Sequence, residues 1–368
     1  MINGATSPSY KHKQIYEDLK KRILGGEFAN GQRLPTASRL AIEYKVSRPT
    51  ATKALNELHK DGLVLPGSGA GSYAASGDRE REGKVFGLLI PGLGSGEIFE
   101  PITKQIASRA EGDDFSLLWI GSHVSPEGSL STLEYAARKY AESRISGVFF
   151  APIELGSNYL ESNKLVISIL SEANIPVVLI DTDYLPYPER SPFDLVSIDH
   201  HRGAYIIAQH FLKHGVGRVD FLARPYSSST ISIRLLGYRA ALFESGIVGK
   251  KEWVHIGNPA DPDFVLNGVL GSGATDIICG NDDTAAALIH TLERLAVDIP
   301  DQVRVMGFDD VRYAQHLSVP LTTLKQPCAE IGDLAIDTML SRLRNPQLPP
   351  RTISLQGSLV VRKSCGCL

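Results

Sequence analysis

The sequence predicts an α/β protein, with an N-terminal winged helix-turn-helix ahead of a two-lobed body built on parallel sheets. Three observations carry that expectation. The first 76 residues hold three amphipathic helical patterns and a glycine-tipped hairpin. From residue 84 onward, short apolar runs alternate with helical stretches. Charge divides at the same place: residues 1–76 carry eleven Lys/Arg against six Asp/Glu, a balance of +5 within a formal total of −3, which leaves −8 for the rest. A basic head on an acidic body points the head toward nucleic acid.

The head is read element by element. Tyr10 to Leu24 places Ile15, Leu19 and Ile23 four residues apart, with Lys13, Glu17, Lys20 and Lys21 on other faces, so it is an amphipathic helix. Gly25-Gly26 stops it and Asn30-Gly31 marks a turn. Thr36 sits where an N-cap belongs, and Leu40, Ala41 and Tyr44 share one face of a short second helix ending near Lys45. Ser47 caps a third helix running through Ala51, Leu55 and Leu58 to Asp61-Gly62, with Pro49 in the first turn, where its missing N–H costs nothing. Two helices joined across only Lys45-Val46 form a helix-turn-helix, whose second member fits a major groove about 12 Å wide. Leu63-Val64-Leu65 and Ser72-Tyr73-Ala74 flank Pro66 to Gly71, a wing whose glycines let the backbone approach a sugar-phosphate chain.

Tyr16, Ile23, Gly26, Gly31, Leu34-Pro35, Leu40-Ala41, Val46-Ser47-Arg48, Ala54-Leu55, Leu58, Gly62-Leu63, Gly69 and Gly71 together resemble the winged head of the GntR family. The resemblance implies that Ser47, Arg48, Thr50 and Thr52 face DNA from the recognition helix, with Arg48 set to read a base edge or grip a phosphate. Thr36 and Arg39 before it, and Ser68 and Gly69 in the wing, complete the candidate set. The chain departs from the family twice. Thr36-Ala37-Ser38-Arg39 replaces the usual Ser-Glu-Arg-Glu, moving the arginine by one position, and Ala70 replaces the wing's lysine. The competing reading is that these polar residues only solvate an exposed helix face.

Residues 77–83 are charged and glycine-bounded without an apolar side chain, so residues 77–84 are expected to be a linker between a 1–76 domain and an 85–368 body. Val85 to Ile90, Phe115 to Ile120, Gly147 to Phe150, Pro176 to Ile180, Val219 to Leu222, Thr275 to Cys279 and Val303 to Met306 read as strands buried on both faces. Helices such as Ile102 to Ala110 and Gly203 to Lys213 lie between them, and a body this long is expected to form two lobes.

Catalytic motifs fail. Pro91 to Glu97 is glycine-rich, but its third glycine falls one residue early for a dinucleotide fingerprint. No Gly-x-Ser-x-Gly elbow, P-loop or metal-spaced histidine pair is read, and adjacent His200-His201 point apart. Neither enzyme activity, a cofactor nor a metal site is therefore expected. The four cysteines, with Cys365-Gly366-Cys367 close together, suit neither a disulfide framework nor Cys-x-x-Cys and read as reduced thiols. No apolar run reaches the ~18 residues of a membrane span and the N-terminus lacks a secretory pattern, so the expectation is cytoplasmic, with no membrane partner.

Polar residues instead stand at the ends of the apolar strands, where open parallel sheets gather ligands: Asp181, Asp199, Asn281-Asp282 and Asp309-Asp310. Carboxylates and amides suit hydroxyl groups, although each of these residues reads equally as a strand-end turn or helix N-cap, Asp282 above all.

The stretch from Val85 to Arg362 resembles the effector core of the LacI/GalR repressors, which has the periplasmic-binding-protein fold. Its strongest segments are Ile175 to Asp181, Ser232 to Tyr238, Asn281-Asp282, Gly307 to Asp310 and Pro320 to Pro327. The resemblance implies effector contacts at Arg234, three residues before Gly237, and at Asn281 and Asp309, with Phe99, in the loop after the first strand, against a sugar's apolar face. It also implies chain crossings near Gly217 to Val219, Thr323 to Gln326 and Ile353 to Gln356. They divide the body into lobe 1 (about 85–217 and 326–353) and lobe 2 (about 218–325 and 354–368), which close over a ligand. The whole is similar to arabinose-repressor-type hybrids: a homodimeric repressor of carbohydrate-utilisation genes that binds operator DNA under control of a monosaccharide or sugar derivative. The alternative is a solute-binding protein without DNA function.

Overall fold

A computed structural model of the chain describes residues 8–24, 27–28, 32–61, 63–66, 72–74, 83–90, 98–120, 129–143, 145–153 and 158–367. It divides into two compact units, Met1–Lys84 and Val85–Leu368. The wing tip with Ser68 and Gly69, and residues 77–82 of the expected linker, lie outside the described residues.

In the first unit, α1 (Pro8–Leu24), α2 (Ala37–Glu43) and α3 (Arg48–Lys60) precede β1 (Val64–Pro66) and β2 (Ser72–Ala74). The apolar repeat of α1 is buried as Ile15, Leu19 and Ile23 against Leu40 of α2 and Ala51, Ala54, Leu55 and Leu58 of α3. The two alanines keep α3 close to its neighbours. Thr36 caps α2, its Oγ1 accepting from the Arg39 N–H at 3.3 Å. Ser47 occupies the N-cap position of α3, but its hydroxyl bonds Thr50 Oγ1 at 2.8 Å instead of a backbone amide. The turn between α2 and α3 is made by Lys45 in the left-handed region at φ 48°. β1 and β2 pair antiparallel with Val64 opposite Ala74, the base of the expected wing.

The second unit holds two larger sheets. The first comprises β3 (Lys84–Leu89), β4 (Phe115–Trp119), β5 (Gly147–Phe150), β6 (Val177–Ile180), β7 (Asp194–Ile198) and β13 (Thr352–Leu355), in the order β13-β7-β6-β5-β3-β4. The second comprises β8 (Asp220–Ala223), β9 (Val254–Ile256), β10 (Asp276–Cys279) and β11 (Arg304–Met306), in the order β11-β10-β8-β9 and parallel throughout. β12 (Thr323–Lys325) and β14 (Ser358–Val360) pair antiparallel, and Thr322 and Lys325 bridge back to Met306 and Asp309. The α/β class with parallel sheets is as the apolar runs indicate. Five strands of this unit fall outside those apolar runs: β7, implied only by Asp199 at its end, and β9 and β12 to β14, which are three or four residues long, with β13 and β14 partly exposed, so that no continuous apolar run marks those four.

Helices cover these sheets. α4 (Phe99–Ser108) packs with α10 (Cys328–Arg344), α5 (Ser129–Ser143) packs with α6 (Tyr159–Glu172), and α10 also lies on β6 and β7. α7 (His200–Lys213) runs along α8 (Ser229–Glu244) and touches β10, β12 and β14. The two helices meet so closely at Gly237 that a Cβ there would come 1.9 Å from the carbonyl oxygen of His201. α7 therefore belongs with the second sheet, and the first crossing lies at Asp199, ahead of α7, rather than at Gly217 to Val219. Among the described residues no helix is long and apolar enough to cross a membrane.

Candidate functional site

The cleft lies where the ends of β6, β8, β10 and β11 converge with the first turns of α4 and α8. It is lined by Phe99, Asp181, Arg224, Ser228, Thr230, Arg234, Asn281, Asp283, Asp309 and Tyr313, among others. Phe99, Asp181, Arg234, Asn281 and Asp309, expected from the sequence, are thus brought together.

Arg234 organises the floor. It is only 3% exposed. Its Nη1 donates to the Gly280 carbonyl at 2.7 Å, its Nη2 to Asp309 Oδ1 at 3.1 Å and its Nε to His200 Nδ1 at 3.3 Å. The guanidinium lies 3.6 Å from the centroid of the Phe308 ring, a desolvated cation–π contact. Asp309 Oδ1 also accepts from Gln326 Nε2 at 2.7 Å. Burial pushes the Asp309 carboxyl above the usual carboxylate range, against the pull of Arg234. Asp309 and Asp181 both sit at positive φ, 125° and 70°, so two cleft carboxylates are aimed by backbone that a non-glycine residue seldom adopts. Burial, then the Arg234 charge, drives His200 down to about 3, which keeps its ring neutral.

Three sequence expectations change. The cap of α9 (Asp282–Arg294) is Asn281, whose Oδ1 accepts from the Thr284 N–H at 2.9 Å, leaving its amide nitrogen as the polar group for a ligand. Asp282, the expected cap, turns inward, is fully buried, and accepts from the Thr323 hydroxyl at 2.5 Å and the Val311 N–H at 3.0 Å. Burial and then the Asp309 charge push its carboxyl up to about 7. Phe99 is the first residue of α4 rather than part of a loop, and it is half-buried. Asp199 does not join the cleft: it caps α7 through the Arg202 N–H at 2.9 Å and lines a neighbouring depression with Asp183, Arg190 and Thr352.

Sequence reasoning missed Arg224, which pairs with Asp283 at 2.7 Å, and also His200, Gln326 and Tyr313. Arg224 directly follows β8, so the strand-end rule that selects Asp181 reaches it too. Gln326 and Tyr313 have no such local signal. Counting Arg224 and Arg234 against Asp181, Asp283 and Asp309, the ionisable lining carries one more acid than base.

On the head, Thr36, Arg39, Ser47, Arg48 and Thr52 are exposed and Thr50 is half-buried. Thr52 Oγ1 donates back to the Arg48 carbonyl at 2.9 Å, which spends its proton locally but leaves its oxygen able to accept. Arg48 stands at the N-terminus of α3, the end that meets bases in helix-turn-helix docking.

Residues 11–73 match the model of the bacterial regulatory proteins, gntR family, and residues 208–365 match the periplasmic binding protein-like domain. The chain is 28% identical over 247 residues to the HTH-type transcriptional repressor PurR of Photobacterium profundum, covering 65% of this chain and 70% of that protein. It is 32% identical over 171 residues to the ribose operon repressor of Haemophilus influenzae, covering 44% and 50%. Its fold is similar to a LacI family transcriptional regulator from Enterococcus faecium solved with bound ribose, at 20% identity and a TM-score of 0.61, covering 76% of this chain and 98% of that one.

Fold, head and cleft together define a DNA-binding transcription regulator. It joins a GntR-type helix-turn-helix domain to a periplasmic-binding-protein-like domain. A solute-binding protein without DNA function is not favoured, and the relatives are transcription regulators rather than enzymes.

Proposed function

We propose that this regulator is a cytoplasmic repressor of carbohydrate-utilisation genes whose operator affinity is set by a small neutral sugar in the Arg234–Asp309 cleft. The observation that carries this reading is the buried Arg234–Asp309–Gln326 cluster, placed with Asn281 and Asp181 at the strand ends of both sheets. A guanidinium fork, a carboxylate and amides hold vicinal hydroxyls in pairs, and the half-buried Phe99 offers a face to the sugar ring. The ribose bound in the Enterococcus faecium regulator and the ribose operon repressor relative support a monosaccharide.

The lobes on either side of the cleft are joined by three strands of chain: Asp199, Gln326-Pro327 and the link from β13 to β14. Ligand shifts the open–closed balance by as much as its affinity differs between the two states, a coupling of about 1–3 kcal/mol. Operator DNA is contacted by Ser47, Arg48, Thr50 and Thr52 of α3, with Thr36 and Arg39 on the flanking backbone and Ser68 and Gly69 in the wing. Two heads are needed to read a palindrome, which supports a homodimer. Exposed apolar side chains of the second lobe, Phe243 at 83% and Val248 at 85%, also support one.

Mobility-shift titrations on the cognate operator with pentoses and hexoses test the reading. At least one sugar should change operator affinity about 5–150-fold. If none does, the effector assignment fails.

A further inference from the structure

We propose that His210, Cys365 and Cys367 form a site for a thiophilic divalent cation, of which Zn²⁺ fits best. The site shares no residue with the sugar cleft. One donor atom from each of the three residues lies within 4.8 Å of the others. A tetrahedral zinc with bonds of about 2.3 Å to sulfur and 2.0 Å to nitrogen sets its donors about 3.5–3.8 Å apart, so closing the set takes roughly 1 Å.

Three further observations support it. Nε2 of His210 is buried with no hydrogen-bond partner, a position that costs free energy until something binds it. Gly366 at φ 65° turns the chain between the cysteines, and a Cβ there would come 3.2 Å from Pro300 Cβ, so a side chain would strain the turn that groups them. Both sulfurs are free thiols that donate to backbone carbonyls, Cys365 to Arg362 at 3.5 Å and Cys367 to Cys365 at 3.2 Å. Metal binding releases both protons and leaves neither sulfur without a partner.

His214 is one helical turn beyond His210, with ring centroids 5.0 Å apart. That i, i+4 pair is a metal-compatible spacing, contrary to the sequence reading that found none. It leaves the fourth position to His214, after a change of rotamer, or to water. Two thiolates and an imidazole select zinc-like ions over Mg²⁺ or Ca²⁺. The turn Lys363–Cys365 is already held to β11, with Ser364 Oγ donating to the Val305 carbonyl at 2.6 Å, so a bound ion would clamp it to α7 as well.

The test uses the full chain, reduced, stripped with chelator, and with its four thiols counted before use. Titration with Co²⁺ should give a sulfur-to-cobalt charge-transfer band saturating at one equivalent, displaced by Zn²⁺, with a rise in melting temperature. Cys367→Ser and, separately, His210→Gln should each weaken binding by more than the roughly 10–100-fold that loss of an outer-shell partner costs. Cys328→Ser should leave it intact. Circular dichroism establishes that each variant is folded. Absence of the band in fully reduced wild type, or its survival in both ligand variants, overturns the proposal.

Discussion

Arg234 donates through Nη2 to Asp309 Oδ1 at 3.1 Å while its guanidinium lies 3.6 Å from the centre of the Phe308 ring. The cation is held on one side by an aromatic face and on the other by a carboxylate that Gln326 also grips, so neither charge is left alone in the interior. A ligand entering the cleft meets donors and acceptors already fixed in place. Asp309→Asn keeps the shape but removes the charge, and should weaken effector binding by about 1.5–3 kcal/mol, the worth of a hydrogen bond to a charged group. Calorimetric titration measures it, and operator binding without ligand should be unchanged.

The head makes the converse prediction. Arg48 is exposed at the start of α3, whereas the rest of that helix is pinned by Ala51, Leu55 and Leu58 in the core. Arg48→Ala should therefore leave folding intact and cost about 1–3 kcal/mol of discrimination at the base it reads. Mobility-shift assays against the operator and a single-base variant of it measure the change. Sugar affinity should match the wild type, and loss of both activities together would contradict separate modules.

Buried His200 predicts a pH dependence. Its Nδ1 accepts from Arg234 Nε and its Nε2 donates to the Asp181 carbonyl at 3.2 Å, an arrangement that needs the neutral ring. The unfolded chain protonates this histidine near 6.5 and the folded chain only near 3. Between those values the unfolded state holds the extra proton, so the contribution is present above pH 6.5 and is lost as pH falls through it. Asp282, pushed up to about 7, works in the opposite direction, losing stability as pH rises from the ordinary carboxylate range. The comparison is therefore with His200→Gln, where only one contribution is removed. In urea unfolding, wild type should lose about 1 kcal/mol more than the variant between pH 7.5 and 5.5. Parallel losses would place His200 in a solvated or already protonated state.

Arg234 and Asp309 are legible in the sequence because each belongs to a short motif, beside Gly237 or after an apolar strand. Strand-end reasoning finds Asp181 and Asp199 equally, yet a difference of local backbone separates them. Asp181 sits at φ 70° and faces the cleft, while Asp199 precedes a helix whose open amides capture its side chain. Asn281 and Asp282 exchange their expected roles because the start of α9 differs by one residue, and both residue types cap well. Gln326 reaches Asp309 only because β12 lies beside the chain leaving β11, a long-range pairing with no local periodicity to announce it.

On the proposed reading, the ionic character of the cleft selects among sugars. Both lining arginines are already engaged, Arg224 with Asp283 at 2.7 Å and Arg234 with Asp309 at 3.1 Å, and Asp181 adds a further acid. A phosphate would have to displace a carboxylate from an arginine and then lie beside the carboxylate it displaced, a like-charge contact in a poorly solvated site. A neutral pentose or hexose keeps both pairs and only adds hydrogen bonds to them. In a thermal-shift screen at 100 times its dissociation constant, a neutral effector should stabilise the chain by about 2.7 kcal/mol. Its phosphate ester should give no shift at the same concentration. The opposite ranking would mean that Arg224 or Arg234 releases its carboxylate on binding, and Asp283→Asn would then strengthen the phosphate response.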